Sequence, residues 1–221
     1  VKAIKKASVI AYPIARENGQ SMAAKIASAW ITKEQKEIPL LFPMVESEQS
    51  RLDAWRKAGA LLVNEVLQGE KVAFLSQGDV CLFSTSSYLF LELSANHPDC
   101  PVHLIPGVTS VSAAAAAGKW PLALQKDQLL ILPTPDEART LEILIKDAAS
   151  ESRVLALLKL GHRWSWVRPL LEKLELLNSS LFVQSVGFSD QKVLRANQIE
   201  ESIRPYFSLL LIRQKWPSVL P

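Results

Sequence analysis

The chain has 221 residues, 48% hydrophobic and 21% charged, a balance found in folded chains and a length that suits one large domain or two small ones. Folding at this size buries roughly 70% of the unfolded surface, so no metal or disulfide staple is required, and two cysteines, Cys81 and Cys100, point to a reducing, cytoplasmic compartment. The net charge of +3 comes from 25 basic and 22 acidic side chains spread along the chain. That spread lacks the Lys/Arg stripe of nucleic-acid binders, and no apolar run approaches the roughly 20 residues of a membrane span.

Val1 to Lys6 reads as the last turns of a helix entering a strand over Val9 to Tyr12 that Pro13 ends, with too short an apolar core for a signal peptide. Ser21 to Trp30 has helical character with Met22, Ile26 and Trp30 on one face. Glu48 to Gln68 repeats Leu52, Trp55, Leu62 and Val66 at helical spacing, and Gly69 stands where a left-handed cap belongs. Val72 to Leu75 reads as a strand, Ser76 to Asp79 as a turn and Thr85 to Leu93 as the next helix. Val102 to Ile105 is expected to form another strand, closed by Pro106-Gly107, before a small-residue helix over Ser110 to Gly118 opened by Thr109 or Ser110.

After Trp120-Pro121-Leu122 the character shifts, which predicts a boundary there and two domains, 1–122 and 123–221. The second half reads as strands at Leu129–Leu132, Val154–Leu158, Leu181–Val186 and Tyr206–Ile212, with helices at Pro135–Ala148 and Trp164–Leu177. Such alternation predicts an α/β architecture with a largely parallel sheet.

Ligands of open α/β sheets bind beyond the carboxyl ends of the strands, and two loops there stand out. Ser76-Gln77-Gly78-Asp79-Val80 sets a carboxylate beside a glycine, where backbone can approach an amine or hydroxyls, although a plain Gly-Asp turn gives the same pattern. Pro106-Gly107-Val108-Thr109-Ser110 offers backbone N–H groups and two hydroxyls at a helix start, and a capped helix with no ligand would read the same. The three-glycine dinucleotide fingerprint, the Walker loop and the Gly-x-Ser-x-Gly elbow are all absent, which disfavours a nicotinamide oxidoreductase, a nucleotide hydrolase and a serine hydrolase. His97, Cys100 and His103 are spaced a little like metal ligands, but they fall short of the four a zinc site takes, so no metal is expected. Lys159 ends an apolar strand, either snorkelling or facing an acidic ligand. Trp164 and Trp166, two apart on a helix, face different sides, and packing is expected for at least one.

Taken in order, these loops resemble those of the tetrapyrrole methylase family. Leu75-Ser76-Gln77-Gly78-Asp79-Val80 is similar to its Gly-Asp-Pro loop, with Val80 in place of the proline, and Phe83 to Leu89 to the Tyr-Ser-Thr segment that follows. Pro106 to Ser110 with Ala113-Ala114-Ala115 resembles its second ligand loop. Ala11-Tyr12-Pro13, Pro39 to Met44 and Leu157 to Arg163 point to the branch that methylates C20 of precorrin-2.

The resemblance implies a two-domain α/β fold, with a mostly parallel first sheet and a mixed second one. It further implies a homodimer, S-adenosylmethionine in the interdomain cleft as methyl donor, and an anionic tetrapyrrole as substrate. Carried over residue by residue, Gly78, Asp79, Val80 and Leu82 would line the cofactor site with Thr109 and Ser110 close by, while Leu158, Val186 and Gly187 would hold the adenine. Arg16, Lys159 and Arg163 are candidates for the substrate's carboxylates, and no residue is identified as a general base. Family members begin with a strand and a Gly-x-Gly-Pro-Gly loop, and this chain starts at about the helix after them. A methylase of another tetrapyrrole position, and a non-catalytic tetrapyrrole-binding homologue, would keep the same loops.

Overall fold

The computed structural model describes residues 1–43, 45, 47–202 and 204–216; Met44, quoted above for the resemblance, lies outside them. Contacts divide the chain into two compact units, Val1–Thr109 and Ser110–Pro221.

The first unit begins with helix α1 (Lys2–Lys6) and strand β1 (Val9–Ile14), followed by α2 (Met22–Ala27), β2 (Lys36–Leu41), α3 (Glu48–Leu67), β3 (Val72–Phe74) and α4 (Thr85–Asn96). Its three strands run parallel in the order β2-β1-β3. The central strand is covered on both faces, as parallel sheets require: Ala11, Leu40 and Phe42 pack with Ala58, Leu62, Leu89 and Leu93, and Ile10 packs with Ala7, Ala23, Ala27 and Leu75. Helix ends follow local chemistry. Ser21, Ser47 and Ser84 accept backbone N–H groups at the starts of α2, α3 and α4, and Gly69 takes φ +86° after α3.

Two expectations change here, the first being that Pro13 ends β1, which runs on through it to Ile14. Val102–Ile105 forms no strand: the segment is flanked by Pro101 and Pro106, which donate no N–H, and Val102, Leu104 and Ile105 are 42%, 38% and 52% exposed. Apolar composition imitates a strand, but a strand needs a ladder partner, and none pairs with this segment among the described residues. Strand β2, conversely, carries no clear signal, because Lys36, Glu37 and Pro39 interrupt its apolar residues.

The second unit runs α5 (Ser110–Ala117), β4 (Gln128–Pro133), α6 (Ala138–Ser150), β5 (Arg153–Leu158), α7 (Trp164–Lys173), β6 (Ser180–Gln184), β7 (Lys192–Arg195) and β8 (Ser208–Ile212). Its five strands are ordered β4-β5-β8-β6-β7, parallel only between β4 and β5. One face of the sheet packs against Leu141, Ile145, Trp164, Val167 and Leu171. The other packs against Val111 and Ala114 of α5 and against Trp120. Because α5 buries these residues on the second sheet, the units divide between Thr109 and Ser110, upstream of Leu122. Trp164 is fully buried and Trp166 half-buried against the same core. Among the described residues no helix is long and apolar enough to cross a membrane, and no group of three or more His, Cys, Asp or Glu side chains could hold a metal ion.

Candidate functional site

The loop after β3 leaves the carboxyl end of the parallel sheet, where strand termination exposes backbone groups to a ligand. Asp79 sits at its tip as a knot. Its Oδ2 accepts the Gly107 N–H at 2.9 Å and its Oδ1 the Cys81 N–H at 2.8 Å, so one carboxylate closes its own turn and ties it to the second candidate loop. The Gly107 N–H first, then that of Cys81, holds the Asp79 carboxyl below its usual range.

The two loops touch backbone to backbone. A Cβ on Gly107 would lie 2.2 Å from the Gly78 carbonyl oxygen, which makes glycine obligatory at 107. Gly78 has φ +79° and only the Val108 carbonyl oxygen near its missing Cβ, at 3.8 Å, so its outer side is open to a ligand.

Beneath the loop lies a hydroxyl cluster to which no role was assigned from sequence. Ser76 Oγ and Ser84 Oγ are 2.7 Å apart, Ser84 and Ser86 2.6 Å, and Ser86 and Ser87 both donate to the Val80 carbonyl at 2.9 Å. Ser76 stands in the first candidate loop, and Ser84, Ser86 and Ser87 stand in the segment similar to the Tyr-Ser-Thr of the family. Val80 and Leu82 are half-buried, Thr109 is half-buried, and Ser110 is exposed as the first residue of α5.

In the second unit, β5 and β6 both flank β8 and run parallel to one another, so Leu158 and the Val186-Gly187 pair come to the same end of that sheet. The Leu158 carbonyl accepts both the N–H and the hydroxyl of Thr134 at 2.8 Å. Val186 is half-buried against the α5 side of the sheet, and Gly187, at φ +85°, has nothing within 4 Å of its missing Cβ.

The three candidate cations differ. Arg163 donates to Asp136, with Nε at 3.0 Å from Oδ1, and to the Lys159 carbonyl at 3.3 Å. Its guanidinium is therefore already engaged. Arg16 is exposed in a turn that the Gly19 N–H closes onto the Arg16 carbonyl at 2.9 Å, and Lys159 is half-buried at φ +56°. Neither side chain has an ion pair among the described residues.

Residues 1–200 match the family Tetrapyrrole (Corrin/Porphyrin) Methylases. The chain belongs to the tetrapyrrole methylase family. It is 29% identical over 209 residues to cobalt-precorrin-2 C(20)-methyltransferase of Salmonella typhimurium, covering 92% of this chain and 84% of that protein. Among solved structures, this methylase fold is similar to that of the cobalamin biosynthetic enzyme cobalt precorrin-4 methyltransferase CbiF, with a TM-score of 0.66 and 18% identity over 96% of this chain and 86% of that one. It is also similar to uroporphyrin-III C-methyl transferase of Thermus thermophilus complexed with S-adenyl homocysteine, with a TM-score of 0.58 and 18% identity over 96% and 88% of the two chains. The parallel first sheet and mixed second sheet are those expected of the family.

Proposed function

We propose that the chain is an S-adenosylmethionine-dependent C-methyltransferase of cobalamin biosynthesis that methylates C20 of precorrin-2 or its cobalt-bound form. The observation that carries this reading is the Gly78-Asp79 loop tied to Gly107 at the carboxyl end of a parallel sheet, in a chain whose relative in Salmonella typhimurium bears that activity in its name. Bound S-adenosylmethionine supplies an electrophilic methyl on a sulfonium centre, and the acceptor supplies a nucleophilic carbon.

The residues present fit such a donor. Gly78 leaves its outer side open, so cofactor atoms can approach the backbone closely. The two Asp79 hydrogen bonds and the serine cluster under Val80 fix that backbone before any ligand arrives. The protein's share of catalysis is then alignment and exclusion of water, which is worth up to about 7–11 kcal/mol when reactants are held in near-attack geometry. No nucleophilic side chain is needed. Val80, Leu82, Thr109 and Ser110 are proposed as further cofactor contacts, as are Leu158, Val186 and Gly187 in the second unit; Arg16 and Lys159 are proposed to meet substrate carboxylates. A cytoplasmic homodimer is proposed as the working form.

The test is incubation with precorrin-2 and labelled S-adenosylmethionine, with mass spectrometry for one added methyl and carbon NMR for its position. Methyl at C20 is expected; transfer to another carbon, or none, overturns the reading. Asp79→Ala should weaken binding of S-adenosylhomocysteine by about tenfold or more through loss of the loop tie, and unchanged affinity by calorimetry would remove the loop from the site.

A further inference from the structure

One cavity in the first unit is not accounted for by the cofactor loop. It measures about 700 Å³ and is lined by Tyr12, Ile14, Pro39, Ala24, Lys25 and the turn residues Asn18 to Ser21. Strand register fixes its place. Phe74, the last residue of β3, is level with Ala11, and β1 continues beyond it to Ile14, level with Leu41 of β2. The cavity therefore opens at the same end of the sheet from which the Asp79 loop departs, one strand over and within the same compact unit.

Its chemistry is mixed in an informative way. Ile14, Ala24 and Pro39 supply apolar surface, while Asn18 and Gln20 supply amides. Burial first, and Glu37 beside it second, hold the Tyr12 pKa above the ordinary value, so the phenol keeps its proton and its oxygen can accept a hydrogen bond. Lys25 is the one charged residue of the lining, it is exposed, and it has no carboxylate within ion-pair distance among the described residues. Arg16, likewise without an ion pair, begins the turn that forms the rim; Glu17 lies in that turn but does not line the cavity. An ammonium without a partner, beside apolar walls and neutral amides, suits the carboxylate arm of a largely apolar ring system.

We propose that this cavity is a specificity site for one edge of a polycarboxylate tetrapyrrole, in which Lys25 meets a carboxylate and Ile14, Ala24 and Pro39 pack against the pyrrole edge that bears it. This deepens the methyltransferase reading and rests on it for the identity of the ligand, while its test does not depend on turnover.

The probe is uroporphyrin III, titrated into the full chain and followed by the porphyrin's own fluorescence, with its fully esterified form as the uncharged control. Lys25→Glu should weaken uroporphyrin binding by about tenfold or more, and Lys25→Met by somewhat less. Lys25→Arg should retain most of the affinity, and the ester should bind weakly to all forms. Affinity for S-adenosylhomocysteine should stay the same in each variant, which separates lost recognition from lost folding. Uroporphyrin binding that is absent in the parent chain, unchanged in Lys25→Glu and Lys25→Met, or matched by the ester overturns the proposal. Absent methyl transfer with Lys25-dependent porphyrin binding would leave this site standing and remove the methyltransferase reading. Methyl transfer to precorrin-2 with Lys25-independent porphyrin binding would do the reverse.

Discussion

The two units bury to different depths the strands that lead into their candidate loops. In the second, every residue of β6 and β8 is buried, as are all of β5 after Arg153, and Trp164, Phe182 and Leu210 lie fully inside. In the first, all of β3 is only half-buried, and Val102, Leu104 and Ile105 beside the second candidate loop and Val108 within it stand exposed. The deep strands β5 and β6 hold their ends by packing. The shallow β3 holds its loop by hydrogen bonds, above all those of Asp79, so a ligand can reach backbone there. Rigidity thus has two sources in this molecule, and substitutions should separate them.

The largest effect is expected in the deep core. Trp164 is 0% exposed, stacks obliquely on Phe182 at 5.2 Å between ring centroids, and donates its indole N–H to the Glu200 carbonyl at 2.7 Å. Trp164→Ala should cost about 3–5 kcal/mol, with the Glu200 carbonyl left only its bond from Arg204. Denaturant unfolding measures this, and a loss below about 1 kcal/mol would show that the second core is not what stabilises its unit.

A pair of glycines sharpens the contrast. An added Cβ at Gly107 meets backbone, the Gly78 carbonyl oxygen at 2.2 Å, whereas one at Gly118 meets chiefly the end of a side chain, Leu181 Cδ2 at 2.3 Å. Backbone cannot swing aside, so Gly107→Ala should force the two loops apart, costing about 1–3 kcal/mol and most of the S-adenosylhomocysteine affinity. Gly118→Ala should cost no more than about 1–2 kcal/mol through repacking of Leu181 and leave that affinity alone. Equal effects of both on ligand affinity, read by calorimetry, would break the distinction between backbone-tied and packed units.

Acid should loosen the first unit's loops by a related route. Asp79 has a lowered pKa in the folded chain, so its contribution is fully present above the ordinary aspartate value of about 3.9 and is lost as pH falls through the lower folded value. Hydrogen exchange at the Gly107 and Cys81 amides, normalised for intrinsic rate, should quicken over that window in the parent chain. In Asp79→Asn one of these amides should be unprotected at every pH, because the carboxamide offers only one acceptor oxygen. Identical exchange in both proteins would mean that the knot contributes nothing to loop order.

Sequence made part of this legible. The Gly78-Asp79 and Pro106-Gly107 loops, the long helix ended by Gly69 and the apolar strands of the second sheet all announce themselves locally, through glycine, proline and runs of β-branched or aliphatic residues. The contact that makes Gly107 indispensable joins it to Gly78, while the Asp79 bond reaches the same residue across a chain separation of 28, and no local pattern reports a tertiary contact. Val102–Ile105 shows the reverse error. Its composition suits a strand, yet a strand is defined by its neighbour. For α5 the limit has the same origin: a helix of small residues says nothing of which sheet it will cover.

The smallest effect concerns the cations, and it contrasts the units once more. Arg163 in the second unit is bonded to Asp136, which is itself 83% exposed, whereas Lys25 and Arg16 in the first have no such partner among the described residues. Because that pair is largely solvated, Asp136→Asn should change stability by no more than about 1 kcal/mol. It should nevertheless free the guanidinium, which then retains only the Lys159 carbonyl. If engagement by Asp136 is what silences Arg163, Arg163→Gln should alter uroporphyrin III affinity less than about threefold in the parent chain and more in the Asp136→Asn background. A large loss from Arg163→Gln in the parent chain would instead put Arg163 on the acceptor directly. Anion recognition would then include Arg163 as well as the unpartnered cations Arg16, Lys25 and Lys159.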